Sequence, residues 1–390
     1  MLNILLSKLK RMNWILFLSM IALICMGTVF IWSAGSARTT ESLQNLWKVH
    51  IGTALVGIVL STALALTDYR KILDWTALPC FAVSSALLVL VLLVGSSMYG
   101  GRRWLWFFQP SEVAKLAVIL FTAHVFGRLG RESFKWFLIG LAILMGPALL
   151  ILAEPDLGTA LALVPAVLTM LLAARVWTKG LVTLLLSGLL AVGLVLGTVY
   201  VAENEPNPEK RAQIYRHMPF KNHQIKRLRV FLFPDKDIQG AGYNLNQAKI
   251  TIGSGSMWGQ GLKRGKMMRL GYLPATVAMN DFIFAVVAEE AGFMGVVGML
   301  LLFLGILLPG IRIAFTASDD RGRLLTLGVL MLLFCHVYIN VAMNIGLMPI
   351  TGLPLPFISA GRTFLIVILA ALGLVQSVGI HREQDNRLNG

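Results

Sequence analysis

Asp281 is the residue in this 390-residue chain whose neighbours best suit proton transfer. It closes a polar, basic, Gly-rich stretch that begins at Thr251, and from Phe282 onward the sequence becomes an apolar run. A carboxyl group at that junction lies where an aqueous loop meets a bilayer, and partial desolvation there raises its pKa toward the range of a general base. The same position also suits a simple helix N-cap, which Asp favours. The stretch alone does not separate the two readings.

Few other ionisable groups fall at the edge of or within apolar runs, where charge is expensive and functional by default. Glu112 and Lys115 are three residues apart at the start of one run, close enough to pair on a helix face. Gln109-Pro110-Ser111 opens that helix, and Arg102 and Arg103 precede it. Cations beside a helix N-terminus are suited to a pyrophosphate. Glu154 and Asp156 occupy a short turn in which Asp156 reads as a cap. Glu289 lies about 80° and roughly 12 Å along the helix from Asp281, and Glu290 points nearly opposite, so both read as internal braces. The six histidines show no ligand spacing, and no P-loop, GxSxG or HExxH motif is present. Gly253, Gly255, Gly259 and Gly261 are a weak phosphate-loop signal, and three prolines in Met348–Ser359 predict broken backbone lining a cavity.

The elements that must position these groups are membrane helices. Hydrophobic residues make up 57% of the chain and charged residues 14%, and mean hydropathy is +0.75. These values belong to a polytopic membrane protein and not to a soluble domain. The fold class expected is an all-α bundle of about ten transmembrane helices, at about 13–33, 51–67, 76–96, 113–127, 137–153, 157–174, 181–201, 282–311, 324–348 and 357–379. A single membrane domain, 1–390, is predicted, with one large extracytoplasmic loop at 202–280. Inner loops would carry fifteen Lys and Arg against four in the short outer loops, which places both termini in the cytoplasm. The long loop has a net charge of +8, and its segment from Pro206 to Pro234 reads as one amphipathic surface helix. Cys25, Cys80 and Cys335 all lie in apolar runs and predict neither a disulfide nor a metal site. The charge of +15 points to anionic lipid and orientation, with no nucleic acid as partner.

Six blocks in order then carry a family resemblance. GRRWLWFFQPSEVAK (Gly101–Lys115), EPDLGTAL (Glu154–Leu161), GAGYNLNQAKITIGSGSMWGQGL (Gly240–Leu262), Leu273-Pro274, NDFIFAVVAEEAGFMG (Asn280–Gly295) and TGLPLPFIS (Thr351–Ser359) together resemble the SEDS family, the shape, elongation, division and sporulation proteins. RVFLFPDKDIQGAGYNLNQ (Arg229–Gln247) is more similar to its RodA-like elongation branch than to its FtsW-like division branch. The resemblance implies a multi-pass protein of the bacterial inner membrane that polymerises lipid II into peptidoglycan glycan strands. It also implies a class B penicillin-binding protein as transpeptidase partner, along with other elongation-complex proteins. No cofactor is expected, and an assisting divalent cation stays open.

The family's catalytic acid falls on Asp281, while Lys115, Arg102, Arg103, Glu112, Asp156 and Ser359 are the residues expected to bind substrate. The sequence departs from the family pattern at Asn280, which replaces a usual Thr, and at Thr276–Met279, where a His and a Glu usually stand. It departs again at Ala360–Thr363, which includes the extra cation Arg362. The alternatives are a lipid II flippase and a non-catalytic scaffold that activates the penicillin-binding partner. A transporter would centre its polar groups at the midplane, often between internal repeats. Neither midplane clustering nor repeats appear in this sequence.

Overall fold

The computed structural model describes residues 2–36, 40–98, 101–105, 108–127, 133–154, 156–218, 220, 222–234 and 242–388. The first part of the chain forms α1 (Leu2–Lys10), α2 (Trp14–Ser36), α3 (Glu41–Gln44), α4 (Leu46–Leu66) and α5 (Tyr69–Val94). A two-stranded antiparallel hairpin follows, β1 (Ser96–Met98) and β2 (Gly101–Trp104). Next come α6 (Pro110–Phe126), α7 (Phe134–Ala153), α8 (Leu157–Ala173) and α9 (Thr178–Asn204). The long loop contains α10 (Pro208–His217), α11 (Asn222–Leu232), α12 (Tyr243–Ser254), α13 (Lys266–Arg269) and α14 (Ala275–Ala278). The chain ends in α15 (Ile283–Phe315), α16 (Asp320–Ile345) and α17 (Arg362–Leu388).

Among the described residues eight helices are long and apolar enough to cross a membrane: α2, α4, α5, α7, α9, α15, α16 and the Arg362–Arg382 part of α17. α8 is a shorter apolar helix, and α6 carries Glu112 and Lys115 near its start. Helices are the form such sequences must take, because the bilayer core offers backbone groups no water and each must be bonded within its own segment. Caps fix several starts. Asp68 accepts from the Arg70 amide, Asp156 from Thr159 and Asp319 from Gly322.

α16 and α17 form the buried centre, whereas α9 is left almost wholly uncovered by the other described residues. α17 lies along α4, where Gly373 packs directly on the Ser61 backbone, the kind of close approach small residues allow between membrane helices. α15 packs on α2 and α16, and α16 also packs on α8.

Two features differ from the sequence reading in ways that matter for the site. The amphipathic segment is two helices, α10 and α11, because the residue before a proline is pushed out of the helical region. Met218, before Pro219, takes extended angles (φ −75°, ψ 137°) and ends α10. The predicted last span becomes helical only at Arg362, and residues 346–361 before it are non-helical.

α15 is broken at Gly292, whose φ of +68° and ψ of −169° are open to glycine and not to a residue with a side chain. The loop after α12 fills the break. Gln260 and Gly261 donate their amides to the Glu289 and Glu290 carbonyls (2.9 and 3.0 Å), and Phe293 and Met294 donate theirs to Ser256 and Met257 (2.9 and 3.1 Å). Backbone groups freed by the break are thereby satisfied. The side chains of Glu289 and Glu290 brace the same junction. Glu289 accepts from the Met267 amide (2.8 Å), and Glu290 accepts from the Ser33 hydroxyl of α2 (2.6 Å) and the Lys263 amide (3.2 Å). The Gly-rich stretch thus spends amides on α15 that a phosphate-binding loop would keep free.

Candidate functional site

Asp281 lies just before α15 and does not cap it. The N-cap is Phe282, and no side-chain capping bond is made there. What fixes Asp281 is its main chain. Three consecutive carbonyls are held by donors from α16 and the non-helical segment before α17. Met279 O accepts from the Ala360 amide (3.0 Å), and Asn280 O accepts from the Ser359 hydroxyl (2.7 Å). Asp281 O accepts from the side-chain amides of Asn340 (2.9 Å) and Asn344 (3.1 Å). The Asp281 carboxylate is half-buried and accepts no hydrogen bond among the described residues. Gly352 stands beside it with φ +78°, and a Cβ there would lie 3.5 Å from Asp281 Oδ2.

Two loops bring charge to this carboxylate. β2 presents Arg103, whose Nε donates to the Glu154 carbonyl (3.2 Å) and whose Nη1 lies 3.9 Å from Asp156. α11 presents Arg227, whose Nη1 donates to the Thr351 carbonyl (3.2 Å). α11 is tethered in turn, since Arg229 pairs with buried Glu203 of α9 at 2.6 Å and Tyr215 donates to the same carboxylate at 2.7 Å. Arg103, Asp156 and Arg227 therefore share one electrostatic neighbourhood with Asp281, near enough to act on its protonation. Burial pushes the Asp281 pKa up to about 6, Arg227 pulls it down, Asp156 pushes it up and Arg103 pulls it down. Burial likewise lowers the Arg227 pKa, and Arg103 adds to that.

Glu154, beside Asp156, is fully buried with no hydrogen bond at either carboxyl oxygen among the described residues, and its pKa is pushed up to about 8, by burial first and by Asp156 second. Asp156 itself is a cap and a hub. It accepts from the Thr159 amide (3.1 Å) and from the Gln109 side-chain amide (3.3 Å).

Glu112 and Lys115 form a separate buried cluster. Their ion pair is 2.8 Å long, and Lys115 Nζ is also 2.8 Å from His336 Nε2 of α16. Lys115 has only donors to offer, so Nε2 accepts and the ring proton belongs on Nδ1. Phe364 stacks on His336 at 4.4 Å between centroids and receives Lys115 over its face at 5.1 Å.

Of the residues expected from sequence, Asp281, Asp156 and Arg103 come together, and Ser359 is joined to them through the Asn280 carbonyl. Lys115 and Glu112 are bonded to each other inside the bundle. Arg102 is part of β2, and its side chain lies outside the described residues. Four residues passed unnoticed: Arg227, His336, Asn340 and Asn344. The last three had a legible signal, since His, Asn and Asn at four-residue intervals trace one face of an otherwise apolar helix. Arg227 had none beyond being one cation among many. Among the described residues no group of three or more His, Cys, Asp or Glu is gathered as a metal-binding set.

This geometry defines a polytopic helical membrane protein with a partly shielded carboxylate just before one of its long apolar helices, within electrostatic reach of two arginines. Residues 13–384 match the cell cycle protein family of FtsW, RodA and SpoVE, and the chain belongs to that family. It is 34% identical over 373 residues to the peptidoglycan glycosyltransferase MrdB of Escherichia coli K12, covering 94% of this chain and 93% of that one. It is also 34% identical over 386 residues to a probable peptidoglycan glycosyltransferase FtsW of Trichlorobacter lovleyi, covering 95% and 94%. Among solved structures, a chain of a peptidoglycan synthase complex that coordinates polymerization with crosslinking superposes with a TM-score of 0.75 at 27% identity, covering 96% of this chain and 99% of that one. The rod shape determining protein RodA of Thermus thermophilus superposes with a TM-score of 0.67 at 26% identity, covering 96% and 98%.

Proposed function

We propose that this chain is a peptidoglycan glycosyltransferase that polymerises lipid II, with Asp281 as the general base. The observation that carries the reading is the Asp281 carboxylate itself. Its main chain is clamped, its oxygens accept no hydrogen bond among the described residues, its pKa is about 6, and Arg103 and Arg227 lie within electrostatic range. A base of that pKa is ionised near neutral pH yet still attracts a proton.

In the proposed reaction Asp281 takes the proton from the C4 hydroxyl of the acceptor GlcNAc as that oxygen forms its bond to C1 of the donor MurNAc. The bond from C1 to the pyrophosphate oxygen breaks on the opposite face, giving a β-1,4 linkage with inversion, and Asp281 later releases its proton to water. Arg103 and Arg227 are assigned to the charge that develops on the departing undecaprenyl pyrophosphate, the kind of preorganised stabilisation that contributes most to many barriers. Arg102 is assigned the same role from sequence alone. Glu112 and Lys115 act indirectly, their buried pair with His336 fixing α6 against α16.

The long loop carrying Arg227 belongs on the extracytoplasmic side and both termini in the cytoplasm, on the Lys and Arg distribution. The partner is a class B penicillin-binding protein, and the branch is elongation and cell shape. Glycan polymerisation from purified lipid II tests the reading, with wild type and Asp281→Asn each assayed alone and with that partner inhibited at its transpeptidase site. Polymer is expected from wild type only. Polymer from Asp281→Asn would refute Asp281 as base, and lipid II transport without polymer from either would refute the polymerase.

A further inference from the structure

The geometry points to Asn340 and Asn344 as positioning residues for Asp281, acting through its main-chain carbonyl. This rests on the reading of Asp281 as the base and asks what aims it. Both amides are fully buried on α16. Asn340 Nδ2 donates to Asp281 O at 2.9 Å and to Leu353 O at 2.7 Å, and Asn344 Nδ2 donates to Asp281 O at 3.1 Å and to the Asn340 carbonyl at 2.9 Å. A side-chain amide has two N–H donors, so the donor capacity of Asn340 is spent on this junction, while Asn344 divides its own between Asp281 and the backbone of α16.

Helix stability does not account for the pair. A buried amide is costly unless fully bonded, and the Oδ1 of Asn344 has no hydrogen-bond partner among the described residues. Leu at that position would leave no polar oxygen stranded. The bonds lead to one place. With Ala360 on Met279 O and Ser359 on Asn280 O, they complete a run of three fixed carbonyls that ends at the base. The Asp281 carboxylate accepts no hydrogen bond among the described residues, so its direction is inherited from this backbone. Asn340 does a second thing. By bonding Leu353 O as well, it ties Asp281 to the residue after Gly352, the position at which a Cβ would come to 3.5 Å from Oδ2. The two amides thus determine both where the carboxylate starts and what stands beside it.

The test is lipid II polymerisation by the full chain with its transpeptidase-inhibited partner, comparing Asp281→Asn, Asn340→Leu and Asn344→Leu, with thermal unfolding measured for each. Misplacing a reacting group by about 1 Å costs on the order of 100-fold, so Asn340→Leu is expected to lower kcat by roughly that factor and Asn344→Leu by roughly 10-fold. KM for lipid II should stay within about twofold, because neither amide reaches the arginines that hold pyrophosphate. The acidic limb of the pH profile should keep its midpoint, since the charges around Asp281 are untouched.

Unchanged kcat in both Asn variants, with Asp281→Asn inactive, would overturn the positioning role and leave the base intact. A loss of kcat that tracks a fall in Tm, with KM rising in step, would also overturn it as a merely structural effect. Activity in Asp281→Asn would remove the base and this inference together. Should Asn340→Leu fail to fold, Asn344→Leu decides, because it leaves both bonds of Asn340 in place.

Discussion

The pH dependence of polymerisation should have an acidic limb whose midpoint moves in opposite directions in two single variants. With a pKa of about 6, Asp281 is ionised in roughly one molecule in eleven at pH 5, so the rate there should be about tenfold below its plateau. An ordinary Asp, with a pKa of about 3.9, would lose almost nothing at pH 5. Arg227 pulls the Asp281 pKa down and Asp156 pushes it up. Arg227→Gln should therefore move the limb to higher pH and Asp156→Asn to lower pH. Taking a charge partner's effect as on the order of 1 pH unit, Arg227→Gln at pH 6 should lie about tenfold below its own plateau where wild type lies about twofold below its own, and Asp156→Asn at pH 5 should recover about fivefold in its fraction of plateau relative to wild type. Asn is as good a cap as Asp, so α8 should keep its start. Both variants fall in the proposed substrate site and are expected to lower the plateau, which is why the midpoint is the quantity to read. The assay is kcat/KM for glycan polymerisation across pH 4.5–8, which reports the free enzyme. A flat profile down to pH 5, or two variants moving the same way, would refute the assignment of the base and of its electrostatic partners.

Three further outcomes follow from the packing. Lys115→Met should destabilise the protein by about 3–5 kcal/mol by leaving Glu112 buried without its cation, and adding Glu112→Gln should restore part of that loss in thermal unfolding; additive losses would show that the pair is not coupled. Gly352→Ala should reduce polymerisation, since φ +78° is unfavourable for Ala and its methyl would meet Asp281 Oδ2, whereas Gly146→Ala, whose Cβ meets nothing within 4 Å, should match wild type in the same assay. Gly292→Ala should lower thermal stability markedly, because a Cβ there would fall on the main-chain nitrogen of Gly259, which fills the break in α15; wild-type unfolding would contradict the strap.

What the sequence discloses and what it hides divide along physical lines. Membrane helices are local, so apolar length marks α2, α4 and α5 without any knowledge of their neighbours. Asp281 was visible for the same reason, as an abrupt change of solvent at one residue. The break at Gly292 was not, because NDFIFAVVAEEAGFMG reads as a continuous apolar helix and the break exists only where the loop at 256–261 supplies the missing hydrogen bonds. Lys115 illustrates a different limit. Its spacing from Glu112 predicts their pair, yet only the docking of α16 reveals His336 on its other side. Arg227 is the extreme case, since its role depends on α11 being held by Glu203 and laid over Thr351, contacts spanning 26 and 124 residues of chain.

These two classes of contact amount to a division of labour at Asp281. Its position comes from transmembrane α16 and the non-helical segment before α17, through bonds to carbonyls that carry no net charge. Its acidity is set first by burial and then adjusted by Arg227 of α11, Asp156 at the start of α8 and Arg103 of β2, none of which makes a hydrogen bond to Asp281 among the described residues. In the reaction proposed above, an arrangement of this kind would let the loops yield to a bulky lipid-linked sugar, and to a pyrophosphate bound by both arginines, without displacing Asp281. It also predicts how pKa and rate separate: as pyrophosphate draws Arg103 and Arg227 away, the Asp281 pKa should rise further, strengthening the base at the moment both substrates are in place. A kcat limb lying at higher pH than the kcat/KM limb would report that rise, since kcat reads the occupied enzyme and kcat/KM the free one.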